Sequence, residues 1–434
     1  MLKKIRVDQV RLGMHLHELC GAWIDHPFWK TRFVLREPTD LNKLRGSAVQ
    51  ECVIDTAKGL DVVAEEEAHG GVHLAPTARR GEGESNARPA TPARAAAGLP
   101  AAAALPATPA RASMREESRR AAALVSQSRE AVTSLFNEAR MGRALDTSGC
   151  IDLVNDVAAS VWRNPGAMVS LSRLKTHDDY TYMHSVAVCA LMISLARQLG
   201  MDEARAREAG MAGLLHDMGK AAMPLEILNK PGKLTDAEFH VMRGHPERGH
   251  ELLASGAGTP ETALDVCLHH HERPDGKGYP HGLAGAQISL YAQMGAVCDV
   301  YDAITSNRPY KRGWDPAESI ARMASWRKGQ FDEAVFQAFV KSLGIYPTGS
   351  LVRMDSGRLA VVLEQHESSM VTPKVRVFFS TKLNMPVPLE VLDLSLPTAG
   401  DRIVGRESNQ DWKFPHLEEL WVEPEVMRKM RQGS

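Results

Sequence analysis

The sequence predicts a mainly α protein: an all-helical central domain, a small N-terminal α+β domain before it and a small C-terminal β appendage after it. Three observations carry this reading. From Asp178 to about Ser342, apolar residues recur at helical spacing almost without interruption. After Tyr346-Pro347 the pattern switches to alternation, the period of strands. Ahead of the helices lies a stretch of Ala, Pro, Arg, Gly and Thr with nothing large enough to bury. Residues 1–74 are thus read as the first domain, 75–113 as a disordered linker, 114–347 as the helical domain and 348–434 as the appendage.

Composition excludes several function classes. A chain of 434 residues has room for two or three domains, and its formal net charge of -1 argues against a nucleic-acid polymer as partner. No apolar run reaches the ~18 residues of a membrane span. Met1-Leu2-Lys3-Lys4-Ile5-Arg6-Val7 lacks the apolar core of a signal peptide. Cys20, Cys52, Cys150, Cys189, Cys267 and Cys298 are scattered, mostly in apolar runs, and read as reduced, buried residues. The expected location is the cytoplasm.

In the first domain, Ile5, Val7 and Val10 lead into Leu12-Gly13-Met14 as strand and turn. Phe33-Val34-Leu35 and Cys52-Val53-Ile54 make further short strands. Trp23, Phe28, Trp29 and Phe33 concentrate aromatic bulk suited to the core of so small a unit. Order resumes at Arg115. Leu124, Val125, Val132, Leu135 and Phe136 recur at helical spacing, as do Ile151, Val154, Ala158 and Val161 before Pro165-Gly166. These helices either pack on the following domain or pair with a second chain, and the sequence does not choose. In the appendage, Ser350-Leu351-Val352, Leu359 to Leu363, Val375 to Phe379 and Leu389 to Leu392 read as strands, with Asp355-Ser356-Gly357 as a hairpin turn.

The chemistry lies in the helical domain. Leu214-Leu215-His216-Asp217-Met218-Gly219-Lys220 sets an imidazole beside a carboxylate on an apolar run. Burying two such groups costs free energy unless something pairs with them, and both are metal ligands. The plain alternative is a capped helix end, with Gly219 as the stop. Further ligand-type residues follow. His184 shares a helix face with Val188, Leu191 and Leu195; Thr235-Asp236-Ala237-Glu238 caps a helix that reaches His245; His270-His271 precedes Glu272; Asp299 lies within an apolar helix.

Seven ligand-type residues (His184, His216, Asp217, His245, His270, His271 and Asp299) exceed the needs of one ion. They suit two divalent ions with Asp217 as the bridge between them. Mixed His and carboxylate donors favour iron or manganese over a thiolate zinc site. Such a pair of ions holds a bridging hydroxide and polarises phosphoryl oxygens for in-line attack. Lys220 is placed to neutralise a phosphate or protonate a leaving oxygen; its plain role is a solvated charge at a helix C-terminus.

His216-Asp217-Met218-Gly219-Lys220, followed by His270-His271-Glu272-Arg273-Pro274-Asp275-Gly276-Lys277-Gly278-Tyr279-Pro280, resembles the HD-GYP family of HD-type metal-dependent phosphohydrolases. The resemblance runs from about Tyr182 to Phe339 and takes in Asp299-Val300-Tyr301-Asp302-Ala303 and Arg308-Pro309-Tyr310-Lys311. It implies an all-helical enzyme that hydrolyses the bacterial second messenger cyclic di-GMP to linear pGpG, GMP or both. It implies catalytic roles for Asp217 and Lys220, with the seven residues as metal ligands. Substrate contacts would come from Lys220, Gly278, Tyr279, Pro280, Asp302, Arg308 and Lys311. A slow or inactive sensor acting through GGDEF-type or other signalling partners is the alternative, and a homodimer is compatible with either. Degenerate sensors lose ligands, and all seven are present here. Residues 1–74 resemble the small domain often joined to this family, chiefly at Leu12-Gly13-Met14 and Ile54 to Gly59. Tyr180, one turn before His184, replaces the Glu that holds a third ion in some members, so two ions are expected.

Overall fold

A computed structural model describes residues 2–19, 33–46, 49–62, 111–174, 180–306, 313–326, 329–366 and 369–432. The chain forms two compact units, Met1–Leu105 and Pro106–Ser434.

The first unit is an antiparallel four-stranded sheet with one helix. Strands β1 (Leu2–Arg6), β2 (His15–Leu19), β3 (Phe33–Val34) and β4 (Glu51–Asp55) lie in the order β1-β4-β2-β3, and α1 spans Pro38–Arg45. Alternate residues turn inward, so Ile5, Leu16, Cys52 and Ile54 join Val10, Met14, Leu35 and Leu44 in one core, with Phe33 packed on it. Gly13 sits at φ +91° in the turn between β1 and β2, a conformation open to glycine at little cost. Trp23, Phe28, Trp29 and Cys20 lie outside the described residues, as do linker positions 75–110. Residues 111–113, expected in the linker, are already anchored. Ala112 N–H donates to the Arg163 carbonyl (3.2 Å), and Ser113 caps the next helix in a reciprocal box with Glu116.

In the second unit, α2 (Met114–Arg140), α3 (Cys150–Arg163) and α4 (Pro165–Leu171) lead into α5 (Tyr180–Gln198) and α6 (Glu203–Leu215). α2 and α3 lay Val125, Val132, Phe136, Val154, Val157 and Val161 into the bundle, so these helices pack on the helical domain that follows them. α5 is the central rod. The spacing suggests one apolar face, yet every residue from Met183 to Ala196 is buried, because neighbours surround the helix on all sides. α7 (Leu225–Leu228), α8 (Asp236–Met242), α9 (His245–Ala254), α10 (Glu261–His269), α11 (Leu290–Thr305), α12 (Pro316–Ser325) and α13 (Glu333–Leu343) complete the bundle. The Thr235–Glu238 capping box forms as its sequence demands.

The appendage is a second antiparallel sheet, in the order β8-β7-β6-β5-β9: β5 (Leu351–Met354), β6 (Arg358–His366), β7 (Ser369–Ser380), β8 (Met385–Asp393) and β9 (Ile403–Arg406). Two short helices, α14 (Asn409–Trp412) and α15 (Pro424–Gln432), follow it. Strand β9 and both helices go beyond the strands read from alternation. Asp315 ties sheet to bundle: it caps α12 through Ala317 N–H (2.9 Å) and accepts Leu351 N–H (2.9 Å) from β5.

Candidate metal centre

The seven ligand-type side chains converge from α5, the end of α6, the start of α9, the end of α10 and α11. His216 and Asp217 do not lie within a helix. α6 stops at Leu215, His216 is its C-cap, and Asp217 opens a short 3-10 turn, Met218–Ala222. His216 thus ends the helix and still turns its ring to the cluster. Gly219 is needed for close approach rather than as a stop: a Cβ there would stand 1.8 Å from the His245 carbonyl oxygen and 2.5 Å from Gly249 N. Removing it would push apart the two segments that carry His216-Asp217 and His245.

Asp217 divides the cluster. Its Oδ2 lies 3.3 Å from His184 Nε2 and 3.2 Å from His216 Nε2, and Asp299 Oδ1 completes that side at 2.9 Å from His184 Nε2. Its Oδ1 lies 3.3 Å from His245 Nε2 and 3.8 Å from His270 Nε2, with His271 grouped beside them.

The imidazoles are oriented from behind. His216 Nδ1 donates to the Gly213 carbonyl (2.8 Å), His245 Nδ1 to that of Met242 (2.8 Å), and His270 Nδ1 to those of Val266 (3.0 Å) and Cys267 (3.1 Å). Each of those bonds leaves Nε2 as a bare lone pair aimed at the centre. His184 Nδ1 meets Asp302 Oδ2 at 2.6 Å. Lone pairs facing carboxylate oxygens repel unless a cation stands between them, and His216 Nε2 and Asp217 Oδ1 are buried with no hydrogen-bond partner. The donor set fits divalent metal on that ground alone.

The electrostatics agree. Burial pushes the Asp217 carboxyl up, but Lys220, His216 and His184 together hold it well below the usual carboxylate range. Burial opposes ionisation of Asp299 as well, and His184 first, then His271 and His216, outweigh it. Burial, then the neighbouring histidines, keep His270 neutral, and His271 is lowered to about 3 by burial and His245. His184 is the exception: burial would lower it, but Asp217, Asp299 and Asp302 raise it to about 10.

The centre opens on one side. The His216 and Asp217 side chains are 0% and 1% exposed, while His271 and Lys220 are each 23% exposed. Lys220 Nζ contacts Asp217 Oδ2. Tyr279 stacks on His271 (centroids 4.7 Å, 28°), and the Arg243 guanidinium lies 4.6 Å over the Tyr279 ring. Gly278 allows the loop to press against Glu272, where a Cβ would meet the Cα at 2.4 Å, and Tyr279-Pro280 is a cis peptide.

One expected substrate contact is corrected. Asp302 is fully buried, with its carboxylate bonded to His184 Nδ1 and reached by Ser306 Oγ, so no substrate can touch it. It orients the His184 ring instead. Its position three residues after Asp299, on the same helix face, was the signal for this. Arg308 and Lys311 lie outside the described residues, and so does the side chain of Tyr180. Two residues were given no role by the sequence reading. Glu272, 2% exposed, accepts N–H bonds from His281 (2.7 Å), Gly282 (3.0 Å) and Leu283 (3.0 Å), so it shapes the loop after Pro280. Arg243 is the other, placed by the turn between α8 and α9.

Two family models match this chain. The profile of a domain of unknown function (DUF3391) matches residues 2–150, and that of the HD domain matches residues 163–335. A cyclic di-GMP phosphodiesterase of Pseudomonas aeruginosa is 54% identical over 423 residues, covering 97% of this chain and 96% of that one. A cyclic di-GMP phosphodiesterase response regulator of Xanthomonas campestris pv. campestris is 44% identical over 34% of this chain and 39% of its own. A 3'3'-cGAMP-specific phosphodiesterase of Vibrio cholerae is 34% identical over 41% of each. A solved HD-G"Y"P protein from Bdellovibrio bacteriovorus aligns over 78% of this chain and 98% of that one, at 15% identity and a TM-score of 0.44. With a relative so similar along nearly its whole length, the chain belongs to the HD-GYP family of HD-domain phosphodiesterases.

Proposed function

We propose that this protein is a metal-dependent phosphodiesterase that hydrolyses cyclic di-GMP and so lowers its cellular level. The carrying observation is Asp217, whose two oxygens face two separate sets of buried imidazoles. His184, His216 and Asp299 would hold one divalent ion, His245, His270 and His271 a second, with Asp217 shared. The absence of thiolates from the set favours iron or manganese. Bound there, such ions supply Lewis acidity toward phosphoryl oxygens and lower the pKa of water into the neutral range.

The chain's own residues do the rest. The carbonyls of Gly213, Met242, Val266 and Cys267, with Asp302, fix the imidazole rings before substrate arrives. The buried side excludes water, so a phosphodiester enters past His271 and Lys220. Lys220 Nζ stands beside Asp217 as a positive charge for the phosphate and a proton donor for the leaving oxygen. Gly278, Tyr279 and Pro280 form the wall of the opening, with Arg243 and Glu272 bracing it. Arg308 and Lys311 add two cations that suit a substrate with two phosphates.

A sensor acting only through partner proteins is disfavoured by the complete ligand set. The test is an assay of purified protein with manganese or ferrous iron, offering cyclic di-GMP and 3'3'-cGAMP separately. Cleavage of cyclic di-GMP in preference to 3'3'-cGAMP, with pGpG or GMP as product, is expected. Binding without turnover under every metal would instead assign the sensor.

A further inference from the structure

The helix that carries His184 also leads away from the metal centre. Ser194, Arg197 and Gln198 lie ten to fourteen residues further along α5, a rise of roughly 15–20 Å. There a cavity of about 490 Å³ opens between α3, α4, the end of α5, α13 and strands β6 and β7. None of the seven cluster residues lines it.

Its walls carry five cationic side chains, Arg111, Arg163, Arg173, Arg197 and Lys341, against one carboxylate, Glu364. Local pairing takes up part of this charge and leaves Arg173 and Arg197 with carbonyl partners only. Glu117 takes Arg163 in a two-point bond (2.6 and 2.8 Å), and Glu364 is drawn towards Lys374 at 3.7 Å. Arg197 donates to the carbonyls of Val161 (3.0 Å) and Trp162 (3.4 Å), and Arg173 donates to that of Thr348 (2.6 Å). Neither meets a carboxylate within ion-pair distance among the described residues. Burial, then the charge of Arg111, lowers the pKa of Arg197, so two guanidiniums press on the same space. Like charges gathered in a partly desolvated hollow cost free energy until an anion joins them. The carbonyl bonds meanwhile hold the planar forks in place, which is how arginine recognises phosphate.

The remaining lining is mixed. The Arg197 guanidinium lies 5.5 Å over the Trp162 ring, which gives one wall an aromatic body. The volume falls in the range of roughly 300–1,000 Å³ common to small-molecule sites.

We propose that this cavity binds a phosphate-bearing small molecule of about mononucleotide size, at a site separate from the metal centre. The phosphate pairs with Arg197 and Lys341, and the rest of the molecule lies along the Trp162 wall.

The test uses the metal-loaded full chain and two probes, GMP and inorganic phosphate, titrated in separate calorimetric runs. Lys341 is exposed, so the variant Lys341→Glu keeps the fold. It is expected to weaken a binding phase by at least about tenfold while leaving the melting temperature and kcat/KM for cyclic di-GMP unchanged. Arg197→Gln should weaken the same phase. Loss of a GMP phase alone assigns a nucleotide, and loss of an inorganic phosphate phase assigns the phosphate group itself. Isotherms for both probes that are identical in wild type and both variants would overturn the proposal, as would the absence of any binding of either probe below about 1 mM.

Discussion

The helical centre and the C-terminal sheet bury their interiors in opposite ways. In the sheet, one face packs Val352, Met354, Ala360, Val362, Val375 and Val377, and the other packs Leu351, Leu359, Val361, Phe378 and Phe379 against Trp412 and Phe414. Those groups gain by leaving water and ask for no partner. The centre instead buries four imidazoles and two carboxylates almost completely, several of them with lone pairs opposed. The difference shows where stability and function part company: the sheet is complete as it stands, while the centre is held in a costly arrangement that a cation relieves.

Breaking that arrangement at its hub should have the largest effect. Asp217→Ala is expected to abolish hydrolysis, since both halves of the cluster share that carboxylate; wild-type turnover by a folded, metal-loaded variant would remove it from the centre. Next comes cohesion. Leu359→Ala should cost roughly 2–5 kcal/mol in denaturant melts whether or not metal is present. Chelation of the wild type should lower bundle stability by on the order of 3 kcal/mol, as for a ligand held near a hundredfold above its Kd. A wild-type melt indifferent to chelator, or a Leu359→Ala cost that changed with metal, would erase the contrast. A smaller change is expected behind the ligands. Asp302→Ala should weaken metal binding about 10- to 100-fold by freeing the His184 ring, with rescue by Asp302→Asn, read by metal titration at constant circular dichroism. The smallest effect belongs to the linker: deleting residues 75–113 should leave the helical melting transition within a degree or so of wild type, apart from the cap that Ser113 gives α2, worth about 1 kcal/mol. A larger shift would show that the stretch packs.

The clustered His and Asp residues were legible because each stands out locally in an apolar run, and because spacing and order along the chain survive without knowledge of the fold. The strands around Phe33, Cys52, Leu359 and Val375 were legible by alternation. What stayed hidden depends on distant apposition. Asp302 meets His184 across 118 positions of sequence, and only the crossing of α5 and α11 turns it from a surface contact into a buried brace. Glu272 reads as an ordinary polar neighbour until three backbone N–H groups fold back on it. Strand β9 is four residues with a glycine among them, too short for a period to register, and it forms because β5 offers it an edge.

Gly219 carries a consequence for how this family can vary. Every amino acid other than glycine brings a Cβ, and here that atom would fall inside the van der Waals surface of the His245 carbonyl. In mutational terms the position has no neutral neighbours, since alanine already separates the backbone segments of the two ligand sets. An engineered library could therefore treat residue 219 as a reporter. Any substitution there that retained turnover would mark a compensating shift of α9, and would show how far the two halves of the centre can drift while still sharing one carboxylate.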